Sequence, residues 1–261
     1  MARKASSDQL LIQNAAKTLL ANIRFASVDN PIRSLLMTSS VPNEGKSTVA
    51  VNLAQAAATS GMRVLLVECD MRRRTLANLI GVHAQAGVYA VLSGQVSLDQ
   101  AVVATPTNGM YLLDSEPHIP NPADIVSSKR FKHLLATMED AYDLVILDTP
   151  PVGTFVDAAV ISALTDGTAL VVREKFTPRA EVQKAYEQLQ KAGAHVIGAV
   201  MNFCEAESSE YYYEYYTKDG KRAKKDASSA PVERAAGNAM PQRRGTQPPA
   251  SALQSGSRFK R

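Results

Sequence analysis

The sequence predicts a three-layer α/β fold with a mostly parallel central sheet, and two observations carry that prediction. Short apolar runs recur at the length of buried strands. Stretches of helical length and spacing separate them. Strands alternating with helices imply right-handed crossovers, and repeating that unit builds a parallel sheet covered on both faces.

The elements follow in order. From Leu10 to Phe25, Leu11, Ala15, Leu19 and Ile23 recur at helical spacing, so an amphipathic helix leads into the core. It falls in an N-terminal segment, residues 1–30, whose outer face is a candidate partner or self-association surface. Four strands are read at Ser34–Thr38, Val64–Glu68, Leu144–Asp148 and Thr168–Val172, with weaker ones at Met110–Leu113 and His195–Met201. Ser47–Thr59 and Arg179–Lys191 are helices between strands. The main domain spans residues 31–204, a tyrosine-rich segment covers 205–216, and 217–261 form a basic tail of Lys, Ala, Ser, Gly, Pro and Gln. With hardly an aromatic residue, that tail cannot offset its ordering entropy by burial and is read as disordered.

Composition narrows the function classes. A chain of 261 residues with 45% hydrophobic content can bury one large core. No apolar run is long enough to cross a bilayer, and the polar start Met1–Asp8 lacks a signal-peptide core, so a cytoplasmic location is expected. Cys69 and Cys204 are far apart, and His83, His118, His133 and His195 show no ligand spacing, so neither a disulfide framework nor a zinc site is indicated. The net charge of +4 conceals an asymmetry: residues 217–261 hold 11 basic and 3 acidic side chains, the remainder 18 basic and 22 acidic. The folded part has no basic signature, and no nucleic-acid partner is expected.

The segment Ser40-Val-Pro42-Asn43-Glu44-Gly45-Lys46-Ser47-Thr48 follows the first strand and opens a helix, the context of a phosphate-binding loop. The loop Pro42–Thr48, through the backbone N–H groups of Asn43–Thr48, and the helix N-terminus would cradle phosphates, Lys46 would meet the β and γ oxygens, and the Ser47 hydroxyl would sit on Mg²⁺. Ser40 stands where the strict G-x-x-x-x-G-K-[ST] pattern has its first glycine. Two further strand tips present carboxylates where ligands of open parallel sheets bind, Glu68-Cys69-Asp70 and Asp148. Asp148, ending an apolar strand, suits Mg²⁺ or its water beside Ser47. One acidic strand tip is ordinarily a turn residue; three chemically matched tips point to a nucleotide site.

Leu35–Ala54, Arg63–Arg74 and Tyr142–Gly153 together resemble the bacterial tyrosine kinases of capsular and exopolysaccharide synthesis, over roughly residues 10–216. The resemblance implies a P-loop fold related to the deviant-Walker ATPases, with Walker A at the loop, Walker A′ at Val64–Asp70 and Walker B at Leu144–Asp148. It implies ATP and Mg²⁺ as cofactors, Lys46, Asp70 and Asp148 as catalytic residues, and Ser47, Asp70 and Asp148 as metal partners, with Glu68 as a further candidate. Tyr211, Tyr212, Tyr213, Tyr215 and Tyr216 resemble the family's self-phosphorylated C-terminal cluster. Five phosphates would add about −8 to −10 charges, enough to overturn the tail's +8. A membrane-embedded chain-length regulator as activator, a cognate phosphotyrosine phosphatase and recruitment to the inner face of the membrane are implied in the same way. Glu68-Cys69-Asp70 departs from the family's usual Asp-x-Asp, and Asn14, Lys17 and Leu20 stand at its helical Glu-x-x-Arg-x-x-Arg positions. Asn202, ending the last strand, resembles a base-binding asparagine of related ATPases, and a turn residue equally. A positioning ATPase of the same fold is the alternative, disfavoured because residues 39–42 lack its early P-loop lysine. A nucleotide-dependent scaffold that transfers no phosphate is the other.

Overall fold

Glu68 and Asp148 stand side by side because two of the most apolar strands pair in register, and the rest of the sheet is laid around that pair. The computed structural model describes residues 2–27 and 30–204; the tyrosine cluster and the basic tail lie outside them. Seven strands are described: β1 (Ser34–Ser39), β2 (Val64–Glu68), β3 (Val103–Ala104), β4 (Met110–Leu113), β5 (Leu144–Asp148), β6 (Gly167–Arg173) and β7 (Val196–Asn202). They are ordered β3-β4-β2-β5-β1-β6-β7, all parallel except the β3–β4 pair.

Period-two alternation explains why the central strands read as unbroken apolar runs. Val64 and Leu66 of β2, Leu35 and Met37 of β1, and Leu144 and Ile146 of β5 enter one core. Leu65 and Val67, Leu36, and Val145 and Leu147 enter the core on the opposite face. Each of these side chains is at most 3% exposed, as two-sided burial requires.

The first core is closed by helix α1 (Ala2–Ala26) and helix α2 (Lys46–Thr59). Ala50, Ala54 and Ala57 of α2 are fully buried, small enough for the helix to lie close on the sheet, and α1 adds Leu20 and Ile23. Short helices α3 (Leu76–Ile80), α4 (Val88–Leu92), α5 (Leu98–Ala101) and α6 (Pro122–Val126) follow. Then come α7 (Lys129–Ala141), α8 (Asp157–Ser162) and α9 (Arg179–Lys191). Phe131, Leu134, Leu135 and Met138 of α7 fill the second core, while Ala185 and Leu189 of α9 pack with Leu170 and Val172 of β6. No described helix is long and apolar enough to cross a membrane.

The loop after β5 is bound to the end of β1, which places Asp148 against the β1–α2 loop. Thr149 donates its N–H and hydroxyl to the Met37 carbonyl at 3.1 and 3.0 Å, and Val152 N donates to Ser39 O at 2.9 Å. Gly153 then lies so close that a Cβ there would stand 2.3 Å from Ser40 O. Because backbone, not a side-chain tip, blocks that Cβ, Gly153→Ala should cost about 1–3 kcal/mol of stability in urea unfolding. A loss below about 0.5 kcal/mol would contradict this junction.

Candidate functional site

Between β1 and α2 the backbone turns through left-handed conformations at Asn43 (φ 67°) and Gly45 (φ 81°), leaving Gly45 as the N-cap of α2. No side chain caps this helix and no acidic residue occupies its first turn, so its N-terminal N–H groups and positive dipole end are left for an anion. Glycine at 45 is required twice: its φ suits no branched residue, and a Cβ would lie 2.3 Å from Asn202 Nδ2.

Three of the predicted nucleotide-binding positions brace the loop through their side chains. Glu44 is 1% exposed, and its carboxylate accepts from Val41 N at 2.7 Å, Arg173 N at 3.2 Å and the Thr177 hydroxyl. Asn202, at the tip of β7, donates Nδ2 to Glu44 O at 2.9 Å. Asn43 accepts from Arg73 through its side chain at 3.5 Å and from Arg173 through its carbonyl at 3.4 Å. Arg173 itself lies 4.6 and 4.3 Å from the ring centroids of Phe176 and Phe203. Pro42 and Thr48 are exposed at the loop's surface.

Lys46, Ser47, Asp70 and Asp148 are brought together as expected. Lys46 Nζ lies 3.3 and 3.4 Å from the two Asp148 oxygens, 3.4 Å from Asp70 Oδ2 and 3.2 Å from Ser47 Oγ. Burial alone would lower the Lys46 pKa, but Asp148, Asp70 and Glu68 outweigh it and hold it raised. Burial pushes Asp148 up, opposed by Lys46 and by a hydrogen bond from Ser47. One ammonium thus faces two nearly buried carboxylates and offsets part of their charge, so each of the three depends on the others for compensation. Among the described residues no group of three His, Cys, Asp or Glu side chains is set to hold a metal. Ser47 and Asp148 nonetheless fit Mg²⁺, which is held by one or two carboxylates with the rest of its shell from phosphate and water.

Glu68 is turned differently. One of its oxygens accepts from Asp70 N at 3.0 Å, the other from Thr75 N at 2.8 Å and Leu76 N at 3.1 Å, so it holds the loop after β2 and the start of α3. Burial and then Asp148 push its pKa up to about 8, against the pull of the Thr75 and Leu76 donors and of Lys46. The arginine triplet is shared out as well. Arg72 pairs with buried Asp157 at 2.9 Å, Arg74 with buried Asp114, and Arg73 reaches Asn43. Asp114 and Asp157 escaped the sequence reading, since each is a lone acid at an element boundary.

An uncapped helix behind a glycine turn, with a lysine between carboxylates at the carboxyl edge of a parallel sheet, defines a P-loop nucleotide-binding ATPase fold. A family model described as an AAA domain matches residues 43–191. Tyrosine-protein kinase YwqD of Bacillus subtilis (strain 168) is 40% identical over 204 residues, covering 78% of this chain and 86% of that protein. The kinase domain of Escherichia coli tyrosine kinase ETK superposes with a TM-score of 0.69 at 29% identity, covering 75% of this chain and 78% of that one. The septum site-determining protein MinD complexed with Mg-ADP, from Pyrococcus horikoshii OT3, shares the fold with a TM-score of 0.57 at 23% identity, covering 65% of this chain and 69% of that one. The chain belongs to the bacterial tyrosine-protein kinase family, within the P-loop ATPases.

The orientation of Glu68 separates two roles. Glu68→Gln opposes an NH₂ to backbone donors and should cost about 1–3 kcal/mol of stability, with Mg²⁺ affinity of the nucleotide-bound protein unchanged. Calorimetric titration alongside unfolding checks both; lost Mg²⁺ affinity at unchanged stability would make Glu68 a metal ligand.

Proposed function

We propose that this protein is an ATP-dependent protein-tyrosine kinase of capsular or exopolysaccharide synthesis, whose principal acceptor is its own tyrosine cluster. The single observation that carries this reading is Asp70 beside Lys46 and Asp148. It supplies a carboxylate beyond the one needed for Mg²⁺, 3.4 Å from the Lys46 ammonium that would meet the γ-phosphate. Membership of the tyrosine-kinase family and the run Tyr211, Tyr212, Tyr213, Tyr215 and Tyr216 support it.

In this reading the N-terminal N–H groups of α2 and the loop backbone hold the β and γ phosphates, and Lys46 gives its charge to their oxygens. Ser47 and Asp148 would hold Mg²⁺, which would supply charge neutralisation at the phosphates. The acceptor tyrosine hydroxyl gives its proton to Asp70 as its oxygen bonds to the γ-phosphorus. The bond from that phosphorus to the β–γ bridging oxygen breaks, and ADP leaves. A phenol titrates near 10, so a placed carboxylate contributes about 10²–10⁴-fold. Asn202, with its Nδ2 on the loop carbonyl, fixes the loop and stands as the candidate neighbour of the base.

In this reading transfer runs between neighbouring copies. Three further features belong to the same reading: activation by a membrane-embedded chain-length regulator, reversal by a phosphotyrosine phosphatase, and recruitment to the inner membrane face through the regulator. Mass spectrometry after incubation with Mg·ATP should find phosphate on the tyrosine cluster. Lys46→Met and Asp70→Asn should each lower that labelling by at least about 10²-fold with circular dichroism unchanged. Normal labelling in either folded variant overturns its assigned role.

A further inference from the structure

Arg72 and Asp157 join the two loops that carry the acids of the site. Arg72 Nη1 donates to Asp157 Oδ1 at 2.9 Å, and the guanidinium lies 4.3 Å from the centroid of the Phe155 ring. Arg72 belongs to the turn that follows β2 and contains Asp70, whereas Phe155 and Asp157 belong to the segment that follows β5 and Asp148. Asp157 is fully buried, and its second oxygen, Oδ2, has no hydrogen-bond partner among the described residues. A buried ion pair offsets its desolvation only when the remaining lone pairs are satisfied, and apolar residues of similar volume often serve stability as well or better. Stability is therefore a poor account of this pair; orientation is a better one.

What the pair orients is the candidate base. In the turn Asp70–Arg73, the Arg73 N–H donates to the carbonyl of Asp70 at 3.1 Å and to its Oδ1 at 3.0 Å. With Oδ1 held there, Oδ2 stands 3.4 Å from Lys46 Nζ. The peptide unit that carries this N–H begins at Arg72, so the aim of the carboxylate depends on where Arg72 stands. Its anchor is rigid: Asp157 opens α8, whose Ala158 and Ile161 are fully buried, and Val152 is bonded back to the end of β1. On the other side, Arg73 reaches Asn43 of the phosphate loop at 3.5 Å, and Asp70 N donates to Glu68 at 3.0 Å.

We propose that Asp157 is a positioning residue for phosphoryl transfer, holding Arg72 and through it the Asp70 carboxylate in the orientation that takes the tyrosine proton; the proposal rests on the tyrosine-kinase reading, in which Asp70 is the base. Asp157 acts through Arg72 and the turn, not on the reacting atoms. A reacting group misplaced by about 1 Å loses up to about 10²-fold in rate. A turn released by Arg72 but still held by Asn43 and Glu68 loses part of that factor.

The test removes the pair from the full-length chain without stranding a charge. Arg72→Met together with Asp157→Leu puts apolar side chains in its place, so the urea midpoint should hold or rise. The maximal rate of tyrosine labelling should nonetheless fall about tenfold, with the Mg·ATP concentration at half-maximal rate unchanged. Asp157→Asn keeps the shape and one acceptor oxygen; it should lower the maximal rate about threefold, and it decides the matter should the double variant fail to fold. Both losses should vanish when the changes are made in Asp70→Asn, measured against the residual labelling of that variant, because nothing is then left to position. A merely structural pair would lower the urea midpoint and reduce labelling by the same factor with or without Asp70. An unchanged maximal rate in the folded variants, or equal losses in the two backgrounds, overturns the positioning role and leaves the kinase reading intact. No label on the tyrosine cluster of the unaltered chain overturns the kinase reading and this role with it.

Discussion

Everything in the site depends on one buried cation. Lys46 lies within about salt-bridge distance of Asp148 and Asp70, at 3.3 and 3.4 Å, in a setting where neither acid is more than 8% exposed. Isolated buried charges are costly and are tolerated only in company. The lysine is fixed by the helix that the glycine turn opens, and the acids are fixed by strand ends, so the sheet's register and the loop's shape are both needed to assemble it. The same arrangement has a chemical use. Phosphates entering at the helix N-terminus would bring new negative charge to a lysine already held among anions, and the acids would be released to Mg²⁺ and to a proton.

Around that centre, several polar residues keep the loop rigid without joining the chemistry. Glu44 and Asn202 tie the loop to the ends of β6 and β7, and Thr149 and Val152 tie the segment after β5 to β1. Glu68 does the same for the loop after β2. A site built for phosphoryl transfer works chiefly by positioning and charge, and these contacts supply the positioning. Glu68 therefore stands in an acidic position of the Walker A′ motif as a structural carboxylate, while Asp70, two residues on, keeps an oxygen toward Lys46.

The strands were legible from their apolar runs, which in β1, β2, β5 and β6 are buried on both faces: β2, β4 and β5 begin and end where their runs do, and β1, β6 and the more exposed β7 each lie within about one residue of theirs. The loop was legible from Gly45, Lys46 and Ser47 despite Ser40, since its chemistry rests on the turn and the helix start. Less was visible where a single contact decides. The two-residue strand β3 is set by pairing with β4, and the five-residue helix α3 is held at its start by the distant Glu68 carboxylate. The reach of the first helix back to Ala2 exceeds its apolar stripe. Side-chain orientation was the main thing hidden: sequence placed Glu68, Glu44 and Asn202 at the site but could not tell that all three hold backbone groups, with Glu44 also accepting from the Thr177 hydroxyl.

Fold and family leave one question decisive, whether the γ-phosphate is delivered to tyrosine or to water. Parallel measurement of ADP and phosphotyrosine from the purified full-length chain with Mg·ATP answers it most directly. The account predicts that early ADP release is matched one for one by phosphotyrosine and stops when the acceptor tyrosines are filled. Continuing ADP release without phosphotyrosine would contradict it and make the chain an ATPase.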